Sequence, residues 1–464
     1  MMFFFSIASI WVMGAALLVF AAKKGKYTFS FLEFSGMSFF VGAAFAVFIL
    51  FFYGAIGLKF DLLNLIAMPT LFFVMISARY MAKPYKVGEI ISGGTHVKAN
   101  LAEKLLLAGI VIQILWVLFL TISLPVHSHD AVANYALKAK IFFFSSGIPS
   151  GFFSWGESTV AHPDYPLFMP FIMTWVYVFT GFNDIVVRLF MPILYVGFMA
   201  VFFSMMKKLF NRSYALLGTF ILATVPHIVD YATIIHADLI LTAFVTIGIL
   251  YFMSYTRTRR GFELLLASFM IGSSLWIKNE AMVFAAVFTV MLIIFFVRSK
   301  EETKRSVLRD ITRSLALIVA ISLPWFLLRA FSGVVNSDLD IMSLTAGRVW
   351  ENMKELPALL NLFQQEVFGP KKWNIFWVIF FASLVWKRKK LFEGEICYLT
   401  IFLGLSAVAY FAGYMSMTGE NLYFYINTTI SRFMMHFSGV AAILMGYLLY
   451  DEVQKIGSEG YKKS

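Results

Sequence analysis

Charged residues are scarce in this 464-residue sequence, at 14% of the total, whereas a soluble globular chain has roughly a quarter. Hydrophobic residues instead make up 60%, and the mean hydropathy is +0.80. Cysteine is nearly absent as well: Cys397 stands alone, so no internal disulfide can form. These shortages exclude an ordinary water-soluble globular chain and a fold held together by internal disulfides.

The hydrophobic residues are concentrated in long runs that recur along nearly the whole chain. A helix needs roughly 20 apolar residues to cross the hydrocarbon core of a bilayer. By that rule the sequence predicts an all-α, polytopic integral membrane protein with about 13 transmembrane helices. The predicted spans are 2–22, 36–58, 62–78, 105–125, 186–206, 213–229, 238–254, 262–277, 281–297, 314–332, 373–386, 395–415 and 433–450.

The distribution of basic residues predicts the orientation of these spans. If the N-terminus lies outside, alternate loops are cytoplasmic, and those loops carry 27 of the 38 lysines and arginines. Such a bias sets membrane topology. The sequence therefore predicts a multi-pass protein of the cytoplasmic (inner) membrane, with the N-terminus outside and the C-terminus cytoplasmic. The same bias explains the formal charge of +12 without a nucleic-acid partner.

Polar residues collect on the predicted outer face, mainly in and after the outer loop 126–185. Ionisable groups at membrane depth are costly and are functional hypotheses by default. Within this loop, the apolar spacing that follows Asp130 predicts a helix in the membrane interface. The aromatic stretch from Leu167 to Thr180 predicts a second interfacial or re-entrant helix, because counting it as a span would place the later basic loops outside.

Three outer histidines are also candidates for a metal site. His127, His129 and His236 carry ligand atoms that suit zinc or manganese. Their spacing matches no established metal motif, so a bound divalent metal is a hypothesis and no cofactor is certain. The other candidates have structural explanations too: Asp130 in a first helical turn would stabilise the helix dipole, and Lys278 at a helix end could extend to the interface.

Several segments, in this order and at this spacing relative to the predicted topology, resemble the GT-C membrane glycosyltransferases. The group they most resemble is family 39 and the protein O-mannosyltransferase-like enzymes, which include the aminoarabinose transferase of lipid A. The segments that carry the resemblance are 130–145, His162-Pro163-Asp164-Tyr165-Pro166 to Gly181, 184–210, 226–252 and 275–284. They lie within residues 105–300, with weaker support to 450.

The resemblance implies catalytic roles for two acids. Asp130 matches the acidic residue of the first outer loop, the proposed catalytic base. A second acid often follows it in the family, but Ala131 stands there in this sequence. Asp238 matches a recurring acid that is thought to shape the donor or acceptor site. The resemblance thus implies one base, Asp130, with Asp238 beside the substrate.

It also implies a set of substrate-binding residues. His162-Pro163 matches the His-Pro or Lys-Pro that opens the second interfacial helix, although Asp164 replaces the proline that usually follows. Lys278, before Asn279-Glu280, matches a lysine that would bind the lipid-linked phosphate. Arg432 resembles a late basic residue that precedes the last helix. The implied substrate-binding residues are His162, Asp164, Lys278, Glu280 and Arg432.

The predicted domain organisation follows from the spans and the resemblance. Residues 1–80 form an N-terminal three-helix addition, outside the resemblance, and a cytoplasmic loop follows at 81–104. The GT-C-like catalytic core occupies 105–332. The remaining segments are a second outer loop at 333–372, C-terminal transmembrane helices at 373–450 and a cytoplasmic tail at 451–464.

The resemblance implies that the enzyme transfers a sugar, with inversion, from a polyprenyl-phosphate donor at the outer face of the membrane. The acceptor would be a lipid, a glycan or a protein. An acceptor that attacks C1 must lose a proton, which a nearby carboxylate can take. The departing phosphate develops charge, which a fixed cation stabilises. No glycine-rich nucleotide cradle is apparent, in agreement with a lipid-phosphate donor.

Two other functions stay open from the sequence. A transporter or flippase for a lipid-linked sugar would place charges near the bilayer midplane and show internal repeats. No clear repeat is found, and the charges cluster at one membrane edge. A catalytically inactive relative is the other alternative, because the second acid is missing at Ala131.

Overall fold

The computed structural model describes the chain except for residues 83–89, 93–97, 125, 127, 156–160, 333–344, 418–421 and 463–464. The first half contains α1 (Met2–Gly25), β1 (Phe29–Ser30), α2 (Phe31–Ile56), α3 (Leu62–Ala82), β2 (Ile91–Ser92), α4 (Leu101–Ser123), a π-helical segment (Asp130–Ala136), α5 (Leu137–Phe144), a 3-10 turn (Phe152–Ser154), α6 (Phe168–Thr180), α7 (Asp184–Val187), α8 (Phe190–Leu209), α9 (Arg212–Ala223) and α10 (Pro226–Tyr231).

The second half contains α11 (Ala237–Thr258), α12 (Gly261–Ser274), α13 (Ala281–Val297), α14 (Glu301–Ser332), α15 (Ala346–Asn352), a 3-10 turn (Met353–Glu355), α16 (Leu356–Phe368), α17 (Pro370–Trp373), α18 (Phe376–Trp386), a 3-10 turn (Arg388–Lys390), α19 (Ile396–Ser416) and α20 (Leu422–Lys462). Apart from the short parallel pair β1–β2, the regular structure in the described residues is helical. The all-α class is thus confirmed.

Eight helices in the described part of the chain are long and apolar enough to cross a membrane. They confirm a polytopic membrane protein, while the exact count of 13 stays a prediction. Shorter apolar helices occupy the remaining predicted spans. The span predicted at 213–229, for example, is divided into α9 and α10, because Pro226 lacks the backbone N–H that a continuous helix would need.

Helix α11 runs through the middle of the bundle, and its length can be compared with the thickness of a membrane. Its side chains from Ala237 to Thr256 are buried, against α8, α12 and α20. At 1.5 Å per residue, its 22 residues extend over about 33 Å, enough for a hydrocarbon core. Asp238 lies in its first turn and Arg257 in its last. The helix therefore separates two polar ends by roughly the thickness of a membrane.

The basic end, the end of the bundle that contains Lys208, Arg257 and Lys387, joins loops that are distant in sequence. Lys208 pairs with Glu33 at 2.7 Å, Arg257 with Glu395 at 2.7 Å and Lys387 with Glu452 at 2.7 Å. These residues lie in or beside loops that the charge bias assigned to the same side. The structure thus gathers them at one end, opposite Asp238.

The two helices predicted in the first outer loop are present. The first begins with the π-helical segment at Asp130 and continues as α5 to Phe144. The second, α6, has 13 residues, and nearly all of them are buried against α1, α2 and α5. A helix of this length extends about 20 Å, too short to cross a hydrocarbon core. The interfacial and re-entrant alternatives for this helix both stay predictions.

The N-terminal helices pack directly on the rest of the bundle. Helices α1 and α2 approach closely where Gly14 meets the backbone of Ser38, since any larger side chain would overlap it. Helix α2 then contacts α6 and α8. Buried Glu33 accepts hydrogen bonds from Tyr251 (2.9 Å) and Lys208 (2.8 Å), which belong to α11 and α8. Residues 1–56 therefore form one packed body with the central helices.

Candidate active site

Asp238 lies at the centre of a buried polar network. Its side chain is fully buried, and its Oδ1 atom lies 2.9 Å from Lys278 Nζ, 3.3 Å from Arg432 Nε and 3.0 Å from His436 Nε2. Its Oδ2 atom lies 2.5 Å from His236 Nδ1. A buried carboxylate is costly unless it is paired in this way. We call Asp130, His236, Asp238, Lys278, Glu280, Arg432 and His436 the Asp238 network.

Asp130 forms the more exposed side of this network. Its side chain is 29% exposed, and its Oδ2 atom lies 3.1 Å from Arg432 Nη1 and 3.4 Å from His236 Nε2. Burial alone would raise the pKa of Asp130, but the Arg432 guanidinium and His236 outweigh that effect, so the pKa lies below its usual value. Asp130 is therefore ionised at neutral pH and open to a substrate.

The helix that carries Asp130 begins with a π-helical segment, and Asp130 is the first residue of that segment. Single π-turns inserted in α-helices occur frequently at functional sites. Here the segment runs from Asp130 to Ala136 and places Tyr135 fully inside the protein, edge-on to His236 at 5.7 Å between ring centroids. Tyr231 also contacts this imidazole, at 5.1 Å between ring centroids. The two rings fix His236 between the two acids.

Lys278 and Glu280 come from the turn that joins α12 to α13. Because this turn lies at the membrane end that holds Asp238, a short stretch of backbone supplies both charges. Lys278 Nζ lies 2.9 Å from Glu280 Oε1 as well as 2.9 Å from Asp238 Oδ1. Its side chain is only 1% exposed, against 17% for Arg432. Arg432 is therefore the more accessible of the two cations.

Helix α20 supplies Arg432 and, one turn later, His436. Residues four apart lie on the same face of a helix, so both point to Asp238. His436 is fully buried, and its Nδ1 atom lies 2.9 Å from the hydroxyl of Tyr410 on α19. Sequence analysis did not include His436 among the site residues. The four-residue spacing from Arg432 was the signal that identifies it.

A second polar group adjoins the first through the backbone of residues 278–280. Asn279 Nδ2 donates to Asp164 Oδ2 at 3.1 Å, and Arg329 Nη1 donates to Asn279 Oδ1 at 3.3 Å. Asp164 is fully buried. Lys278 and Asn279 thus bond to different groups, so the turn connects the Asp238 network to the region of Asp164.

His162 lies in this second group. The Nζ atom of Lys138 donates to the His162 carbonyl oxygen at 2.6 Å, and the His162 ring stacks on Tyr165 at 4.5 Å. Burial lowers the pKa of Lys138 to about 7, and nearby Asp164 partly opposes that shift. The bond from Lys138 therefore connects His162 to α5. Of the predicted site residues, the structure gathers Asp130, Asp238, Lys278, Glu280 and Arg432, with His162 and Asp164 beside them.

The metal candidates do not form a ligand group in the described residues. His129 is 88% exposed, and its Nδ1 atom lies 3.7 Å from Asp130 Oδ1. His236 is buried between Asp130 and Asp238, and both of its ring nitrogens face carboxylates. His127 lies outside the described residues. Within the part of the chain that the structure describes, no set of three His, Cys, Asp or Glu side chains is arranged to hold a metal ion.

The second outer loop reaches the site through α16 and α17. Glu366 accepts hydrogen bonds from Lys372 Nζ (2.6 Å) and from Ser431 Oγ (2.8 Å), and Ser431 directly precedes Arg432. Trp373 Nε1 donates to the other Glu366 oxygen at 2.8 Å. These bonds attach the loop to α20 at Ser431, directly beside Arg432. Sequence analysis assigned no role to Glu366, because its partners Lys372 and Ser431 are 6 and 65 residues away.

The site as a whole combines one accessible carboxylate with cations that are already paired. Asp130, Asp238 and Glu280 supply three negative charges, and Lys278 and Arg432 supply two positive ones. A cation in such a network can stabilise new negative charge only by changing partners. Arg432 can do so more easily than Lys278, because it is partly exposed. The arrangement suits proton removal by Asp130 next to an anionic ligand of Arg432.

Comparison with known proteins gives one family match. Residues 164–326 match the family model described as dolichyl-phosphate-mannose-protein mannosyltransferase. The matched stretch runs from before α6 into α14, so it includes Asp164, Asp238, Lys278 and Glu280. Asp130 lies before it and Arg432 after it. No curated protein and no solved structure gives a significant match.

Proposed function

We propose, from the premise that this chain is a membrane glycosyltransferase of the GT-C type, that it transfers a sugar from a polyprenyl-phosphate donor with inversion at C1. The family match confirms the GT-C resemblance and implies a lipid-linked sugar donor. The proposal goes further in naming the mechanism, the carrier and the residues. It places the reaction at the outer face of the cytoplasmic membrane, with a lipid, glycan or protein as acceptor.

The proximity of Asp130 to Arg432 is the observation that carries this proposal. The two side chains are in contact at 3.1 Å, and Asp130 retains exposed surface. In the proposed step, Asp130 accepts the proton of the acceptor hydroxyl or amine as the acceptor atom bonds to C1. The bond from C1 to the phosphate oxygen breaks, and its electron pair leaves with the phosphate. Asp130 thus takes the proton, while the neighbouring Arg432 faces the negative charge that develops on the departing phosphate.

Arg432 is the residue that we assign to the departing phosphate. Its planar guanidinium can bind two phosphate oxygens at once, whereas Lys278 acts as a point charge. Lys278 is almost fully buried between Asp238 and Glu280. We therefore give Lys278 a supporting role: it contributes positive potential and holds Asp238 in place. Glu280 in turn fixes Lys278.

Asp238 is proposed as a positioning residue. It lies fully buried behind Arg432, with Lys278 and two imidazoles as further partners. Removing its charge would leave these cations without their common partner, which is strongly unfavourable in a buried site. Asp238 therefore orients Arg432, and His236 connects Asp238 to Asp130.

The test is transfer of labelled sugar from synthetic polyprenyl-phosphate sugars by the purified protein and by its Asp130→Asn variant. Loss of a general base lowers rates by about 10²–10⁴-fold, so we expect kcat to fall in that range. The amide keeps the shape of the carboxylate, so folding and donor binding should persist. Equal transfer by both proteins would remove Asp130 as the base.

The matched control is Asp230→Asn, an exposed outer-face acid on α10 that is outside the Asp238 network. It should transfer sugar at the wild-type rate. The same reconstituted protein should be assayed for movement of the lipid-linked sugar across the vesicle bilayer. Movement without transfer would favour the transporter reading, and wild type inert in both assays would favour an inactive relative.

A further inference from the structure

A second candidate site lies between the N-terminal helices and the core, at the end of the bundle remote from Asp130. It is a cavity of about 800 Å³ between α1, α2, α12 and α14. Its polar lining consists of Arg259, Arg309, Arg313 and Asp310. Because Arg259 closes α11 at the end opposite Asp238, this arginine cavity is separated from the Asp238 network by about the length of α11.

The charged part of the cavity carries an excess of positive charge. Three arginines face one carboxylate, which leaves two positive charges in excess. Asp310 is buried, with Arg309 Nε at 3.5 Å and the Tyr255 hydroxyl at 3.4 Å. Arg309 and Arg313 are both exposed. Such a lining is complementary to an anion that binds several donors at once, as a phosphate group does.

The remaining walls are apolar and follow regular helical spacing. Arg309, Arg313 and Leu317 lie on α14 at intervals of four residues, so one face turns from charged to apolar along the helix. Gly261, Leu265 and Phe269 repeat that interval on α12. The cavity thus has a charged mouth and an apolar interior, formed by continuous helix faces.

The depth of the apolar part distinguishes its ligand from a free anion. Val41 and Phe45 line the cavity from α2, which begins at Phe31 beside the basic end. At 1.5 Å per residue, Phe45 lies about 20 Å farther into the bundle than that first residue. A soluble phosphate would leave this apolar surface without a partner, whereas an acyl chain would cover it.

We propose that the arginine cavity binds a phospholipid of the adjacent leaflet, with its phosphate between the arginines and an acyl chain along α2 and α12. The lipid fills the seam between the N-terminal helices and the core. At the basic end, Gly25 packs on Phe262 so closely that a larger side chain would overlap the ring. The protein therefore closes the gap between α1 and α12 only at this basic end, and the proposed lipid fills the gap farther inside the bundle.

The experiment is native mass spectrometry of the full-length protein in detergent, titrated with long-chain phosphatidylglycerol. The double variant Arg309→Gln/Arg313→Gln removes two lining charges. Loss of two basic contacts at a membrane surface corresponds to roughly thirtyfold in affinity, and we expect the first dissociation constant to rise by that factor. The matched control is Arg305→Gln/Arg388→Gln, which removes two exposed charges outside the lining and should bind like wild type.

A second variant, Leu317→Trp, fills the apolar part and keeps the arginines. It should weaken binding of the long-chain lipid, while inorganic phosphate at millimolar concentration should not displace lipid from wild type. Displacement by inorganic phosphate would overturn the lipid assignment in favour of a free anion. Equal lipid affinity for wild type and the Arg309→Gln/Arg313→Gln protein would overturn the site itself. Sugar transfer does not enter either readout.

Discussion

At the scale of single residues, Arg432 lies between two carboxylates, 3.1 Å from Asp130 and 3.3 Å from Asp238. Asp130 has a lowered pKa because Arg432 and His236 outweigh the effect of burial. A base with a low pKa is always ionised at neutral pH but accepts a proton weakly. When a donor phosphate draws Arg432 away, the pKa of Asp130 should rise. Donor binding would in this way strengthen the base just before the acceptor attacks.

This coupling predicts the pH dependence of an Arg432→Gln variant. Arg432 holds the pKa of Asp130 down, so its removal raises that pKa, and the carboxylate becomes protonated at a higher pH. The acid limb of kcat/KM should therefore move to higher pH. The pH-independent value of kcat/KM should also fall by roughly 10²-fold or more, since the cation beside the leaving phosphate is lost. Both effects appear in one pH profile of kcat/KM.

Two further variants separate charge from shape. Arg432→Lys keeps a positive charge, so the acid limb of kcat/KM should stay close to its wild-type pH. The lysine cannot bind phosphate oxygens in the bidentate manner. Arg348→Gln removes an outer-loop guanidinium of α15 and should leave the profile unchanged. An acid limb that stays in place in Arg432→Gln would contradict the coupling between Arg432 and Asp130.

At the scale of helices, the site depends on how closely α11 and α20 approach. Asp238 lies on α11, whereas Arg432 and His436 lie on α20. The Thr242 hydroxyl donates to its own helix at Asp238 O (2.8 Å) and across to Met435 O (3.2 Å). A turn farther along, Gly439 packs on Thr246 with no room for a Cβ atom. Glycine is thus required at this crossing.

We predict that Gly439→Ala destabilises the protein by about 1–3 kcal/mol, the usual cost of overpacking a core. The added methyl group would push α20 away from α11 and lengthen the distances from Asp238 to Arg432 and His436. Sugar transfer should therefore decrease together with Tm. A thermal-shift assay in detergent, run beside the transfer assay, measures both quantities.

Gly404→Ala is the matched control, because Gly404 lies inside α19 with open space around its missing Cβ. Alanine favours a helix over glycine by roughly 0.5–1 kcal/mol, so this variant should keep or slightly raise Tm. If the Gly439→Ala protein had the same Tm as the Gly404→Ala protein, that result would contradict the close approach of α11 and α20.

At the scale of the whole molecule, the two polar ends have different characters. The end with Asp130 holds buried acids, imidazoles and two paired cations. The basic end holds Lys208, Arg257 and Lys387, paired across loops. The positive-inside rule predicts that the basic end faces the cytoplasm, and the proposed reaction would then occur outside.

Cysteine labelling in intact cells tests that orientation. In a Cys397→Ser background, His129→Cys places a thiol at an exposed position beside Asp130, and Lys389→Cys places one in the exposed turn after α18. A membrane-impermeant maleimide should label the first protein in intact cells and the second only after lysis. The reverse pattern would invert the topology and move the proposed reaction to the cytoplasmic side.

Helices and their order were largely predictable, since the apolar runs that a bilayer demands are local in sequence. The span predicted at 238–254, for instance, corresponds to α11 at Ala237–Thr258. Asp130 and Lys278, which the family-like segments singled out, lie in one polar network, and their roles in the reaction stay predictions. Residues whose partners are distant in sequence were missed: His436 lies 198 residues from Asp238, and Glu366 lies 65 from Ser431.

The sequence by itself determined that the chain is helical, that it crosses a membrane several times and that polar groups gather at one edge. Those properties follow from composition and spacing, which act over a few turns of chain. Only the tertiary structure decided that Arg432 contacts Asp130 while Lys278 is enclosed, and that arginines of α14 face a cavity beside α1. Such contacts depend on helix crossings, which side chains far apart in sequence determine together by packing.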